Sequence, residues 1–387
     1  MFRNILRVAV PLGVAVPLAL TAAAAGASQA ASTPGWRVTA ELPASLTPPA
    51  LAATGADDAW TAGAYCTHPA CNTNTLQVRR WNGKKWQLIA VPKQYVNSPA
   101  GLGVGAVAAR SASSAWVMNE TTTQASSSTA VLHWTGSKWG PVTTLPALID
   151  AAVAPSPKDA WAFGATPAVT PYAAHYNGSK WSRVSFPIAG VSAASLSPAY
   201  IWVIGNPPSP ATASSPFAIM LFNGKTWRST PLPGLGLTAT DTAIATGITA
   251  ANPKTGWADG TIVSTQGEAA PRLKPFLLHW NGTKWSDIKV PYAGLQATGA
   301  IAEDNQGGVW MGATAPATAS GGVRGYILHY RDGKWSEQAA PAQRGLLAQP
   351  TAFAWIRGTK SVWGISTQAP ATPTAPAYRS VVLKYGP

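Results

Sequence analysis

The residues of this chain that could do chemistry are few and widely spaced. Its 387 residues include 14 Asp+Glu, five His and two Cys against 28 Lys+Arg. Glycoside hydrolysis needs two carboxyls within roughly 5–10 Å of each other. Asp57, Asp58, Asp159 and Asp304 fall in short turns, where Asp caps the backbone through its own side chain. Asp150 and Asp241, each just ahead of a small-residue strand, are the carboxylates placed to face a common mouth, but they lie on separate loops. Sialidase-like chemistry asks for clustered arginines, a Tyr nucleophile and an acid. Arg272, Arg324, Arg344 and Arg379 are instead spread over different loops. His133, His175, His279 and His329 have the composition of a metal cluster, yet each occupies the same place in a recurring segment, so they are distributed rather than convergent. There is no phosphate loop and no Ser/His/Asp motif. The expectation is no catalytic residue, no metal site and no cofactor.

What does recur is Lys. Lys84, Lys85, Lys138, Lys180, Lys225, Lys284 and Lys334 each sit in a short Gly-containing segment between two aromatics. If those segments are turns on one side of the fold, they make a cationic rim suited to anionic polymers: cell-wall teichoic acid, acidic polysaccharide or extracellular nucleic acid. The alternative is that Lys simply solubilises turns of a chain with only 11% charged residues.

The elements that carry these lysines form a repeat. Trp81-Asn82-Gly83-Lys84-Lys85-Trp86 is matched by segments at 134–139, 176–181, 222–227, 280–285 and 330–335. Asn-Gly between two apolar runs signals a hairpin, so each segment reads as strand, turn, strand. A second motif interleaves with it. Trp60, Trp116, Trp161, Trp202, Trp257, Trp310 and Trp363 each follow a polar turn that is preceded by a small-residue strand. One unit is therefore four strands: a small-residue inner strand, a Trp strand, an aromatic strand and an outer strand opened by Trp. Gly and Pro, 36 and 34 residues, fit an all-β chain of short strands and many turns.

The second motif occurs seven times and the first only six. The chain ends Val381-Val382-Leu383-Lys384-Tyr385-Gly386-Pro387, half of a hairpin, and Pro34-Gly35-Trp36-Arg37-Val38 reads as its other half. The expectation is an all-β, seven-bladed β-propeller over 34–387. Its blades lie at about 48–92, 103–146, 149–187, 191–232, 243–291, 296–341 and 350–387 plus 34–42, the last completed by the N-terminal strand. Of 18 Trp, all but Trp355 then fall on repeat positions.

Arg3 and Arg7, an apolar run from Val8 to Leu20 and a small-residue stretch to Ala31 have the form of a cleaved secretory signal over 1–30. The run is too short for a spanning helix and contains Pro11 and Pro17. The reading is a secreted, extracellular monomer with no transmembrane segment. Taking the two signal arginines from the formal +14 leaves +12. Cys66 and Cys71, in an exported chain, most simply close one local disulfide. A metal site of Cys66, His68 and Cys71 lacks a fourth ligand nearby and competes with oxidation.

The repeats resemble those of secreted bacterial β-propellers with W-N-G-x-x-W segments, akin to kelch and Asp-box (BNR) repeats. The kelch double glycine is replaced here by Trp and a single Gly. Of the Asp box only Arg331-Asp332-Gly333-Lys334-Trp335 comes near, one residue short and without its Ser. The resemblance implies a scaffold shared by enzymes, lectin-like binders and interaction modules, and transfers no function by itself. Kelch-type copper oxidation would need a Cys beside a ligating Tyr, and both cysteines are expected to pair with each other. The favoured role is a non-catalytic binding module for cell-wall or extracellular polysaccharide, another anionic polymer or an extracellular protein. The alternative is a sialidase- or lyase-like glycan-active enzyme at the central channel.

Overall fold

The computed structural model describes residues 35–386, except 46, 68–72, 97, 100–102, 123–125, 208–215, 266–270, 316–322, 344–345 and 371–377. The signal segment, His68, Cys71 and Arg344 lie outside the described residues. The fold is all-β, and among the described residues its single helical turn is Lys93–Tyr95. No helix of the described residues is long and apolar enough to cross a membrane.

Strands pair in sequence order into antiparallel four-stranded sheets. The third unit is typical: Leu148–Ser156, Asp159–Ala165, Pro171–Tyr176 and Trp181–Val184 lie side by side. Five sheets have this form. A larger nine-stranded sheet contains two such groups. One is Ala50–Gly55, Asp58–Cys66, Thr73–Trp81 and Trp86–Ile89; the other is Leu346–Trp355, Val362–Pro370, Tyr378–Tyr385 and Trp36–Ser45. They are joined through the single pair Ser45↔Tyr65. Trp36 lies opposite Tyr385, as Trp181 lies opposite Tyr176 and Trp285 opposite Trp280.

Two turn chemistries close the outer hairpins. In Asn82-Gly83-Lys84-Lys85 the Asn82 Oδ1 accepts the backbone N–H of Lys84 at 3.1 Å and of Lys85 at 2.9 Å, and Gly83 takes φ 87°. Asn177, Asn223 and Asn281 do the same. These are four-residue loops rather than the tighter two-residue turn that Asn-Gly suggests, because the Asn side chain bonds two residues further along. Asp332-Gly333 alone is a two-residue turn, with φ of 50° and 75° between Arg331 and Lys334. In the second unit Trp139 forms only an isolated bridge to Trp134, and the outer strand is Thr143–Leu145. Pro141 has no N–H to extend that ladder.

The core is built from the second-strand tryptophans. All seven are 0–5% exposed. Each meets aromatics of the following unit: Trp202 lies 5.1 Å from Trp280, Trp310 4.4 Å from Tyr385, and Trp363 5.1 Å from Trp81. Such pairs add geometric preference to area burial and fix the angle between sheets. The histidines belong to this core. His133, His175, His279 and His329 pair across the ladder with Trp116, Trp161, Trp257 and Trp310, ring on ring at 3.9–4.2 Å.

Candidate binding face and channel

The first strands of the units are alanine-rich and surround a central channel. One cavity of about 250 Å³ is lined by Leu51, Gly105, Asp150, Val191 and Thr351 with their neighbours. A second, about 270 Å³, lies further along the same strands and reaches Arg357. Every first strand slips register, and Asp150 is the residue skipped between Ile149↔Gly164 and Ala151↔Phe163. Gly105 is skipped likewise between Val104 and Ala106, and Thr351 between Pro350 and Ala352. A bulge re-aims its extra side chain, which is how Asp150 comes to line the channel.

Of the two carboxylates singled out in the sequence, only Asp150 lines this cavity. Burial raises its carboxyl although the side chain stays exposed at the mouth. Asp241 caps a turn instead, accepting the Thr238 N–H at 2.8 Å and the Thr238 hydroxyl at 2.9 Å. Those bonds, the backbone one first, hold its carboxyl below its usual value.

Asp150 has a different acidic neighbour, Glu120. A Cβ on Gly105 would come 2.6 Å from Glu120 Oε1, so this carboxyl lies against the channel wall. Burial and then the charge of Asp150 push it up to about 7, opposed by a bond from the Ile149 N–H. Its Oε1 is buried with no hydrogen-bond partner among the described residues. Thr261 occupies the same repeat position and accepts the Ala297 N–H of the next unit at 2.9 Å, so one job of Glu120 is to tie two sheets together. Two further buried acids replace small or apolar residues. Asp259 is fully buried and pushed to about 7 by burial, against bonds from Thr246 and the Gly247 N–H. Glu303, 1% exposed, is raised by burial to about 8. Aligning the repeats on their second-strand Trp would have exposed all three, because the matching positions of other units are mostly Ala, Thr or Ile.

The opposite end of the channel is basic. Arg357 reaches across to donate to the Ser195 carbonyl at 2.8 Å, and Arg110 donates to Pro155 O at 3.0 Å. Burial and then the charge of Arg110 lower the Arg357 guanidinium from its usual value. This end opens on the face of the hairpin turns. In the first five units the hairpin turn packs on the turn between the first and second strands of its own unit: a Cβ on Gly178 would meet the Lys158 side chain at 3.1 Å, and one on Gly282 would lie 3.3 Å from Lys254. The face therefore gathers Lys84, Lys85, Lys138, Lys180, Lys225, Lys284 and Lys334 with Lys158, Lys254 and Lys360, all exposed. Asp57 and Asp332 also lie exposed on it, but its other acids are engaged. Asp58 pairs with Arg80 at 2.7 Å, Asp159 with His175 at 2.8 Å and Asp304 with Arg331 at 2.6 Å. None of these lysines is in an ion pair among the described residues.

No family model matches the sequence, and no curated protein matches it either. Solved structures do. The chain is similar to YCF48 bound to D1 peptide, with 12% identity, 91% of this chain and 95% of that one covered, and a TM-score of 0.54. It is also similar to the β-propeller domain of Cps50 (Swd1) from Myceliophteria thermophila, with 8% identity, 89% and 99% covered, and a TM-score of 0.52. A third is the β-propeller domain of the trilobed protease from Pyrococcus furiosus, described with an open velcro topology; identity is 10%, coverage 89% and 94%, and the TM-score 0.50. At such identities the likeness shows the fold alone, a β-propeller.

Proposed function

We propose that this chain is a secreted, non-catalytic binding propeller whose turn face takes an anionic polymer of the cell wall or extracellular space. In this reading it has seven blades, and Trp36–Ser45 completes the last of them and closes the ring. The observation that supports the binding role is the gathering of exposed lysines from both turn sets onto one face, around a channel end that carries Arg110 and Arg357. Clustered cations of one sign raise the local concentration of a polyanion and speed its capture. The face needs no catalytic group to do so. Purified cell wall pull-down together with a glycan array tests this: retention of anionic polymers supports it, and binding to neutral sugars alone contradicts it. A protein ligand is a separate outcome of the same screen, since the similar propeller YCF48 was solved with a peptide bound.

One observation favours a second reading, a glycan-active enzyme. Glu120, raised to about 7, lies behind the channel wall at Gly105, and Asp150 lines the channel beside it. Two neighbouring carboxyls in unequal surroundings are what glycoside hydrolysis uses. Release of reducing sugar from polysaccharide, abolished by Glu120→Gln with the fold intact, would establish it.

A further inference from the structure

The turn face contains a cavity that the lysine pattern did not announce. It holds about 620 Å³ and lies where turns of the first, sixth and last units meet, beside the pairing of Trp36–Ser45 with Tyr378–Tyr385. Arg331, Lys360 and Lys384 supply its charge, and Ala56, Ile356 and Tyr385 form its apolar wall. The charge is only partly balanced, by Asp57 acting on Lys384. Asp304 accepts Arg331 Nε at 2.6 Å, His329 Nε2 at 2.9 Å and the backbone N–H groups of Gln306 and Gly308 at 2.7 and 2.8 Å. With four donors on it, Asp304 has little capacity left for the lysines. Lys384 Nζ lies 5.5 Å over the Trp363 ring and feels the charges of both Arg37 and Asp57. Arg37 donates to the Gly386 carbonyl, which brings a fourth cation to the rim. Neither Lys360 nor Lys384 is in an ion pair among the described residues.

We propose that this cavity binds one carboxylated sugar unit, a uronate, of an acidic polysaccharide whose chain continues over the neighbouring lysine turns. The proposal rests on the reading of this face as a polyanion binder. Arg331 is engaged at Nε by Asp304 and brings one terminal nitrogen within 3.5 Å of His329 Nε2. That leaves terminal N–H groups for a planar carboxylate, and the two ammonium groups flank it as point charges. The apolar wall takes the face of a sugar ring, which a bare phosphodiester chain does not offer. The volume lies within the usual range for ligand pockets.

The test titrates trigalacturonate, neutral galactotriose and inorganic phosphate into the full chain by calorimetry, beside long polygalacturonate. Three variants are compared: Lys360→Glu reverses one charge in the cavity, Ala56→Phe fills it without changing charge, and Lys138→Gln with Lys180→Gln removes charge on distant turns. Melting curves confirm that each is folded. Trigalacturonate should bind; Lys360→Glu should weaken it by at least about tenfold, the loss expected for one charged contact, and Ala56→Phe should weaken it clearly by filling the space of the sugar ring. The distant pair should weaken long polygalacturonate while sparing the trimer. Equal loss in the cavity and distant variants, or no effect of Ala56→Phe, overturns the cavity and leaves the polyanion face standing. Phosphate binding without galacturonate binding overturns the uronate. If neither trimer nor polymer binds, both the cavity and the face reading fail.

Discussion

Glu303 makes the stability of this protein depend on pH in a direction that can be worked out. It closes the strand Gln296–Glu303 and is 1% exposed, where the matching positions of other units hold Ala53, Ala109 and Ala250. Burial raises its carboxyl from 4.5 to about 8, against the N–H of Ala251 and with the charge of Asp304 adding to the rise. The folded chain therefore keeps this proton through neutral pH, whereas the unfolded chain releases it near 4.5. Across that window the folded state binds one more proton, so stability falls as pH rises and the loss is complete above about 8. At ~1.4 kcal/mol per pH unit the change is on the order of 5 kcal/mol. An unfolding entropy of ~2 cal/mol/K per residue over roughly 350 residues makes 1 kcal/mol worth ~1.4 °C, so the melting temperature should drop by ~7 °C from this group alone. Asp259 and Glu120 add slopes of the same sign. Asp304 titrates well below this window: burial works against it, but bonds from His329, the Gly308 and Gln306 N–H groups and Arg331 hold its carboxyl under the usual range. Melts of the native chain and of Glu303→Gln at pH 5 and pH 9 isolate the term. The Gln variant should lose several degrees less between the two conditions. Superimposable pH profiles would refute a buried, protonated Glu303.

If the chain is exported as proposed, Cys66 and Cys71 should be joined, and intact mass under non-reducing conditions should be two hydrogens below that of the reduced chain; two free thiols contradict this. Trp36→Ala removes a ring stacked 4.8 Å from Phe353 and edge-on to Trp310 at 5.6 Å, and should cost ~3–5 kcal/mol, seen as a clearly lower melting temperature. Trp355→Phe should cost less, and deletion of 34–41 should give an aggregating or poorly exported protein; a deletion that melts like the intact chain would break the ring-closure proposal. Asp241→Ala and Asp150→Asn should leave polymer binding unchanged, because neither lies on the lysine face; reduced retention on the polymer by either folded variant would contradict that placement.

Much of the architecture was legible because propeller repeats write themselves into sequence. The aromatic pairs mark hairpins, and Trp60, Trp116 and their equivalents mark the core, where a large apolar ring has one favourable place to go. The same regularity hid the site. Asp150 lines the channel only because its strand bulges, and no residue type announces that slip. Glu120, Asp259 and Glu303 stand in strands among ordinary neighbours and become notable only when the repeats are aligned and one asks which acid replaces a small residue. Asp241 looked like the partner of Asp150 by sequence position, whereas local bonding to Thr238 makes it a turn cap. The cavity at Lys360 and Lys384 joins turns more than 300 residues apart in sequence, from Ala56 to Gly386, so no local pattern could show it.

The central claim is that the turn face captures polyanions by charge, and the salt dependence of binding tests it most directly. Affinity for polygalacturonate should be measured from low to moderate salt for the native chain and for a variant carrying Gln at Lys84, Lys138, Lys180, Lys225, Lys284 and Lys334. Log affinity of the native chain should fall linearly with log salt, with a slope of several units, because each neutralised anionic group releases counterions. The variant should bind more weakly at low salt and show a much shallower slope. Equal slopes for the two proteins, or binding indifferent to salt, would contradict the account.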